Sequence, residues 1–173
     1  LGTRRNRNKR SSLSLIGSAI LIFALSSPVS LKGSPQKAKR LYEKGEFEKA
    51  GKQYREAIDE KPEDSRLYYN LGASLFRTSE YNEANTALKK SLATDDLKLQ
   101  QNAFYNLGNT HYRMGEELLE TNPEETIKLW NRGLKNYENA INLDSNNEDA
   151  QFNYDFLKKR LEELMSQQQE KQE

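Results

Sequence analysis

The chain has 173 residues, enough for about one domain, and its 31% charged residues with a mean hydropathy of −0.99 would mean disorder were the apolar residues not grouped at helical spacing. It has no cysteine, which excludes a disulfide framework, a zinc knuckle, a thiol nucleophile and a lipoprotein anchor. The net charge of +1 is unevenly placed: Arg4, Arg5, Arg7, Lys9 and Arg10 leave 22 basic against 26 acidic residues in the rest, a mildly acidic balance that argues against nucleic acid as a ligand.

The basic start is followed by an apolar run over residues 13–25 and then by Ser26-Ser27-Pro28. A charged region, an apolar stretch and small residues are the order of a secretory signal, with Ala24 and Ser26 at a cleavage site. Counting on through Leu31 gives about 19 mostly apolar residues, marginally enough to span a bilayer, so an uncleaved signal anchor is the competing reading. Residues 1–31 are thus read as a signal peptide or signal anchor, and both readings put the remainder outside the cytoplasm. The chain does not begin with Met, so a lost upstream domain stays open, and with it a role as an accessory segment of a larger enzyme.

Residues 32–160 read as the main domain. Ser34 is placed to cap a helix that has Pro35 at its first position. From there Leu41-Tyr42, Phe47, Ala50, Tyr54, Ala57 and Ile58 are answered 34 residues later by Leu75-Phe76, Tyr81, Ala84, Leu88, Ser91 and Leu92. A second recurrence sets Tyr68-Tyr69-Asn70-Leu71-Gly72 against Phe104-Tyr105-Asn106-Leu107-Gly108. The first repeat closes at Lys61-Pro62-Glu63-Asp64; the second spans about 65–98, with Asp95-Asp96 where a closing proline is expected.

In the third repeat about 13 extra residues follow Gly115-Glu116 before Trp130, Gly133, Tyr137, Ala140 and Ile141 resume the pattern. Asn122 and Pro123 restart a helix there, with Glu125 able to reach back to the cap. Both helices of this pair are expected to be one to two turns longer and to project beyond their neighbours. A last helix carries Ala150, Tyr154, Leu157, Leu161 and Leu164 on one stripe, as a capping helix requires. Residues 161–173 read as the end of that helix and a polar tail.

Small residues at Gly72, Gly108, Ala50, Ala84 and Ala57 sit where two helices must approach closely, beside the bulky Tyr54, Leu88 and Tyr137. Period and residue choice together resemble the tetratricopeptide-repeat (TPR) family over roughly residues 34–160. The resemblance implies an all-α superhelical solenoid of about three helix pairs plus a C-terminal capping helix. It also implies a concave groove for a protein partner, lined by Lys39 and Tyr42, then Arg66, Tyr69, Ala73, Phe76 and Arg77, then Asn102, Tyr105, Asn109, Tyr112 and Arg113, with Phe152 and Phe156 from the cap. Aromatics and arginines are the residue types that dominate binding hot spots. Asn70 and Asn106 resemble a family asparagine that bonds a peptide backbone, while the lysine pattern of chaperone-tail clamps is absent. Leu118, Leu119 and Trp130 on the extended hairpin make a rival docking site.

No catalytic constellation, metal site or cofactor motif is read in the chain. His111, the single histidine, falls at a helix-packing position, and Glu116, Glu117, Glu120, Glu124 and Glu125 read as a solvated face with caps rather than a cation site. The Tyr105–Thr110 opening of the third repeat, its stretched pair and the closing Asn153–Lys159 sequence (Asn-Tyr-Asp-Phe-Leu-Lys-Lys) resemble the TPR protein of bacterial Bat aerotolerance operons. That resemblance implies a non-enzymatic scaffold, periplasmic or anchored in the inner membrane facing the periplasm, with von Willebrand A domain membrane proteins as partners. A periplasmic holding chaperone or envelope assembly factor is the alternative.

Overall fold

Short polar side chains start most of the helices. In a computed structural model that describes residues 33–170, Ser34 Oγ accepts from the Lys37 amide at 3.3 Å to open α1 (Pro35–Glu43), with Pro35 in the first turn as expected. Asp64 caps α3 (Ser65–Arg77) through the Arg66 amide, and Asp96 caps α5 (Leu97–Leu118) through the amides of Lys98 and Leu99. Asn122 caps α6 (Pro123–Leu143) through the Glu125 amide, and Asn147 Oδ1 accepts from Ala150 N in the first turn of α7 (Glu148–Glu170). Each cap satisfies an amide that the first helical turn leaves without a partner. The Glu125 carboxylate does not reach back as expected; it lies 3.2 Å from Lys128 Nζ. The leader read over residues 1–31 lies outside the described residues. No described helix is long and apolar enough to cross a membrane.

The remaining two helices, α2 (Phe47–Glu60) and α4 (Tyr81–Ser91), begin without a side-chain cap, straight out of tight turns. In both turns one residue takes the left-handed conformation, Gly45 at φ 78° and Ser79 at φ 65°, and they stand one repeat apart. The hydrogen bonds recur with them: Glu46 N bonds Leu41 O and Glu80 N bonds Leu75 O, both at 2.9 Å. Each bond ties the chain beyond the helix end back to one of its last carbonyls, which ends the helix and sends the next one back against it.

Successive helices therefore pack as antiparallel pairs, α1 with α2, α3 with α4 and α5 with α6, and α7 lies on the last pair. The first helices also meet across repeats, α3 against α5 and α5 against α7, so that these three line one face. One core cluster joins Ala38, Ala50, Tyr54, Ala57, Leu67, Leu71, Leu75, Ala84 and Ala87; the other joins Trp130, Tyr137, Leu157, Leu161 and Leu164. The spacing-based stripe on α7 is the face that is buried, with Tyr154 half-buried at its edge.

The third pair is lengthened in both helices, by more than the one to two turns expected, to 22 residues in α5 and 21 in α6, against 13 in α3 and 11 in α4. Gly115 falls where the second pair turns at Ser79, yet it stays helical and buried, with the indole of Trp130 in the space its Cβ would fill. Trp130 Nε1 donates to Tyr112 O at 3.1 Å, and Thr126 Oγ1 donates to Gly115 O at 3.0 Å. Trp130 is 0% exposed, and α7 covers the pair through Arg160, which meets Glu116 at 3.0 Å. The rival docking site is therefore corrected at Trp130, a core residue; Leu118 and Leu119 are half-buried.

Gly108 makes the equivalent contact about two turns earlier in α5, where a Cβ would overlap the ring of Tyr137. Replacing it by Leu forces either the ring or the helix to move. Gly108→Leu is expected to destabilise the protein by about 2–4 kcal/mol, at the upper end of overpacking costs. A denaturation midpoint equal to the parent's would contradict this packing.

Candidate functional site

The face made by α3, α5 and α7 carries most of the residues expected to meet a partner, and the structure divides that face into three stretches. Between α1 and α3, Lys39 and Arg66 border a cleft of about 310 Å³ with Asn70 and Asp64. Arg66 is not free there: its Nε and Nη2 hold the Asp64 carboxylate at 2.9 and 2.8 Å, fixing the α3 cap. Tyr42 packs edge-on against Phe47, with ring centres 5.0 Å apart. Arg77 and Ala73 line none of the three clefts; Arg77 lies 4.2 Å over the Phe47 ring.

The middle stretch is a polar cleft of about 540 Å³, where Tyr69, Asn102, Tyr105 and Asn106 face Asp144, Asn146, Asn147, Glu148 and Asp149 at the junction of α6 and α7. Lys98 sits among them, 3.5 Å from Asp144.

The third stretch is apolar. Phe76 from α3, Tyr112 and Arg113 from α5, and Phe152, Phe156 and Leu157 from α7 surround a cleft of about 300 Å³, with Asn109, Asn153 and Tyr137 along it. Phe152 and Phe156 stack at 6.5 Å and 10°, and Phe156 meets Tyr112 edge-on at 5.9 Å. Although they stack, Phe152 is 70% and Phe156 44% exposed, which is apolar area left to water on a helix that buries its opposite side. Tyr112 stacks in turn on Trp130 at 6.0 Å, so the wall rests on the core of the third pair.

Hydrogen bonds fix the shape of this end. Tyr137 Oη donates to Asn109 Oδ1 at 2.7 Å, and Asn153 Nδ2 donates to the same oxygen at 3.0 Å and to Tyr105 Oη at 3.2 Å. Asn109 and Tyr105, expected to face a partner, thus spend these groups tying α5 to α6 and α7. Burial holds the Tyr137 phenol far above its ordinary value, which keeps it a donor. Burial also raises the Tyr112 phenol, and the nearby Glu116 carboxylate adds to it. Arg113 Nε donates to Tyr81 Oη at 3.2 Å with its guanidinium 5.9 Å from that ring, an interaction that raises the Arg113 value further.

Tyr81, Tyr137 and Asn153 are site residues that sequence reasoning placed elsewhere. Tyr81 and Tyr137 are packing residues in the repeat pattern, and their hydroxyls bond the cleft residues Arg113 and Asn109. Asn153 opens the closing sequence motif, which was signal enough to find it.

His111 is 3% exposed, with Nδ1 2.9 Å from Leu107 O. Among the described residues no group of three His, Asp or Glu side chains could hold a metal ion. Burial pushes the His111 imidazole below its ordinary value, so the native state favours the neutral ring. The unfolded chain binds the extra proton first, and stability is lost as pH falls below about 6.5 toward the native value. The melting temperature is expected to drop between about pH 7 and pH 5 more steeply in the parent than in His111→Gln. Parallel slopes in the two proteins would contradict it.

Antiparallel helix pairs, stacked so that their first helices line one face and closed by a capping helix, define an all-α TPR solenoid. Residues 38–79 match the family described as TPR repeat. The first TPR domain of human RPAP3 is similar at a TM-score of 0.63 and 17% identity, over 76% of this chain and 92% of that one. The second TPR domain of human RPAP3, in complex with an HSP70 peptide, is similar at 0.59 and 17%, over 71% and 90%. The Sgt2 TPR domain from Aspergillus fumigatus is similar at 0.61 and 17%, over 79% and 85%. At these identities the likeness is one of fold. Among curated proteins none matches the chain.

Proposed function

We propose that this protein is a non-enzymatic interaction scaffold whose α3–α5–α7 face holds a segment of a partner protein. The observation that carries the reading is the exposed aromatic cleft between Phe76, Tyr112, Phe152 and Phe156 at one end of that face. Exposed apolar area of this kind is retained where something docks. A TPR domain of similar fold is in complex with a peptide, which supports a peptide-sized occupant.

The partner belongs to a membrane-associated complex of the Bat type, with von Willebrand A domain proteins in it, and the scaffold works on the periplasmic side of the inner membrane. The closing sequence Asn153–Lys159 supports the first statement, and the basic start with the apolar run over residues 13–25 supports the second. Alkaline phosphatase fused after Glu173 is expected to be active and a cytoplasmic fluorescent protein dark; the reverse pattern would overturn the location.

The groove itself is tested by co-purification from solubilised membranes. Tyr69→Ala combined with Arg113→Glu is expected to weaken capture of the partner by more than about 2 kcal/mol while helicity stays unchanged. Undiminished capture by the double variant would move the binding surface off this face.

A further inference from the structure

The aromatic cleft has one charged residue on its lining, and its state is unusual. Arg113 is exposed, pinned through Nε to Tyr81 Oη, and paired with no carboxylate among the described residues. Its neighbour Glu116 is committed to Arg160 at 3.0 Å. The oxygen of Asn109 at the same cleft accepts from both Tyr137 and Asn153. The two Nη groups of Arg113 are thus the strongest donors left on an otherwise apolar surface, held in place before any ligand arrives. A planar, pre-positioned guanidinium fork matches a carboxylate.

A cleft of about 300 Å³ lies at the small end of ligand sites, room for one or two side chains rather than a protein surface. Resting on the groove reading above, we propose that the occupant is a peptide segment with one aromatic or long aliphatic anchor between Phe76, Tyr112, Phe152 and Phe156. An Asp or Glu side chain close to that anchor in sequence meets Arg113. The anchor supplies contact area, and the carboxylate fixes register and excludes basic segments, since charge across an interface decides specificity more than raw affinity.

A random dodecapeptide library, displayed on phage through its C-terminus so that only side-chain carboxylates are presented, tests this by panning on the full chain. Arg113→Glu and Phe156→Asp are panned in parallel, with helicity checked by circular dichroism. Clones with Asp or Glu within two residues of an aromatic or aliphatic residue are expected to enrich about tenfold over clones with Lys or Arg there, on the order of 1.4 kcal/mol in preference. The preference should invert on Arg113→Glu and the clones should be lost on Phe156→Asp. Clones that need Phe156 but show no acidic bias, or keep the same bias on Arg113→Glu, overturn the carboxylate assignment and leave the groove reading standing. Clones indifferent to both substitutions, or no enriched clones, overturn the assignment together with the aromatic cleft as the peptide site.

Discussion

The stack depends on places where one helix backbone comes into direct contact with a large side chain of its partner. Gly72 receives Leu88, Gly108 receives Tyr137 and Gly115 receives Trp130; at each the missing Cβ is the space the partner occupies. Interiors are packed too densely to absorb an added methyl at such points without a shift of helix or ring. The same contact reaches into the groove. The Tyr137 ring that lies over Gly108 ends in a hydroxyl bonded to Asn109, so the spacing of α5 and α6 also sets the position of a groove residue.

The extra residues of the third pair were put to the same use. A turn at Gly115 would have ended α5 before its last turn; instead the glycine stays helical, the indole lies on it, and α7 gains a longer surface to cover. That helix then has two jobs on opposite sides. Leu157, Leu161 and Leu164 close the core, while Phe152 and Phe156 face water beside Tyr112. Because Tyr112 also stacks on the buried Trp130, the wall of the cleft is rigid where it meets the core.

Local patterning made the fold legible. The Ser34 and Asn122 caps and the stripe on α7 are each set by residues within a turn or two of each other, and the 34-residue recurrence is such a local pattern written twice. The turn at Ser79 was harder, since a serine stands where the equivalent turn has Gly45; backbone hydrogen bonds, rather than residue type, hold its left-handed φ. The site was legible only in part. The TPR resemblance put Phe76, Tyr112, Arg113, Phe152 and Phe156 on one groove, and they do converge. It could not tell that Arg66 turns home to its own cap, that Arg77 stacks on Phe47, or that Asn109 and Tyr105 bond Asn153 from 44 and 48 residues away. The Asn153 bonds depend on how α7 lies across α5, and the Arg77 stack on how α2 lies against α3. The placement of Trp130 failed for the same reason: its burial comes from the opposite helix and the cap.

Stability and binding are coupled through the cap. In a stacked-repeat protein each unit is held only by its neighbours, and the terminal unit opens most easily. Here the terminal helix supplies two of the four aromatic walls and the Asn153 bonds, so partial loss of α7 removes the cleft before it unfolds the first two pairs. A partner seated between α7 and Tyr112, as proposed above, would bind only the form with α7 in place and shift that equilibrium by its own affinity. On the proposed reading, occupancy of the groove and order in the last repeat are one equilibrium, and a substitution on the buried side of α7, at Leu161 for instance, would weaken binding without touching the ligand.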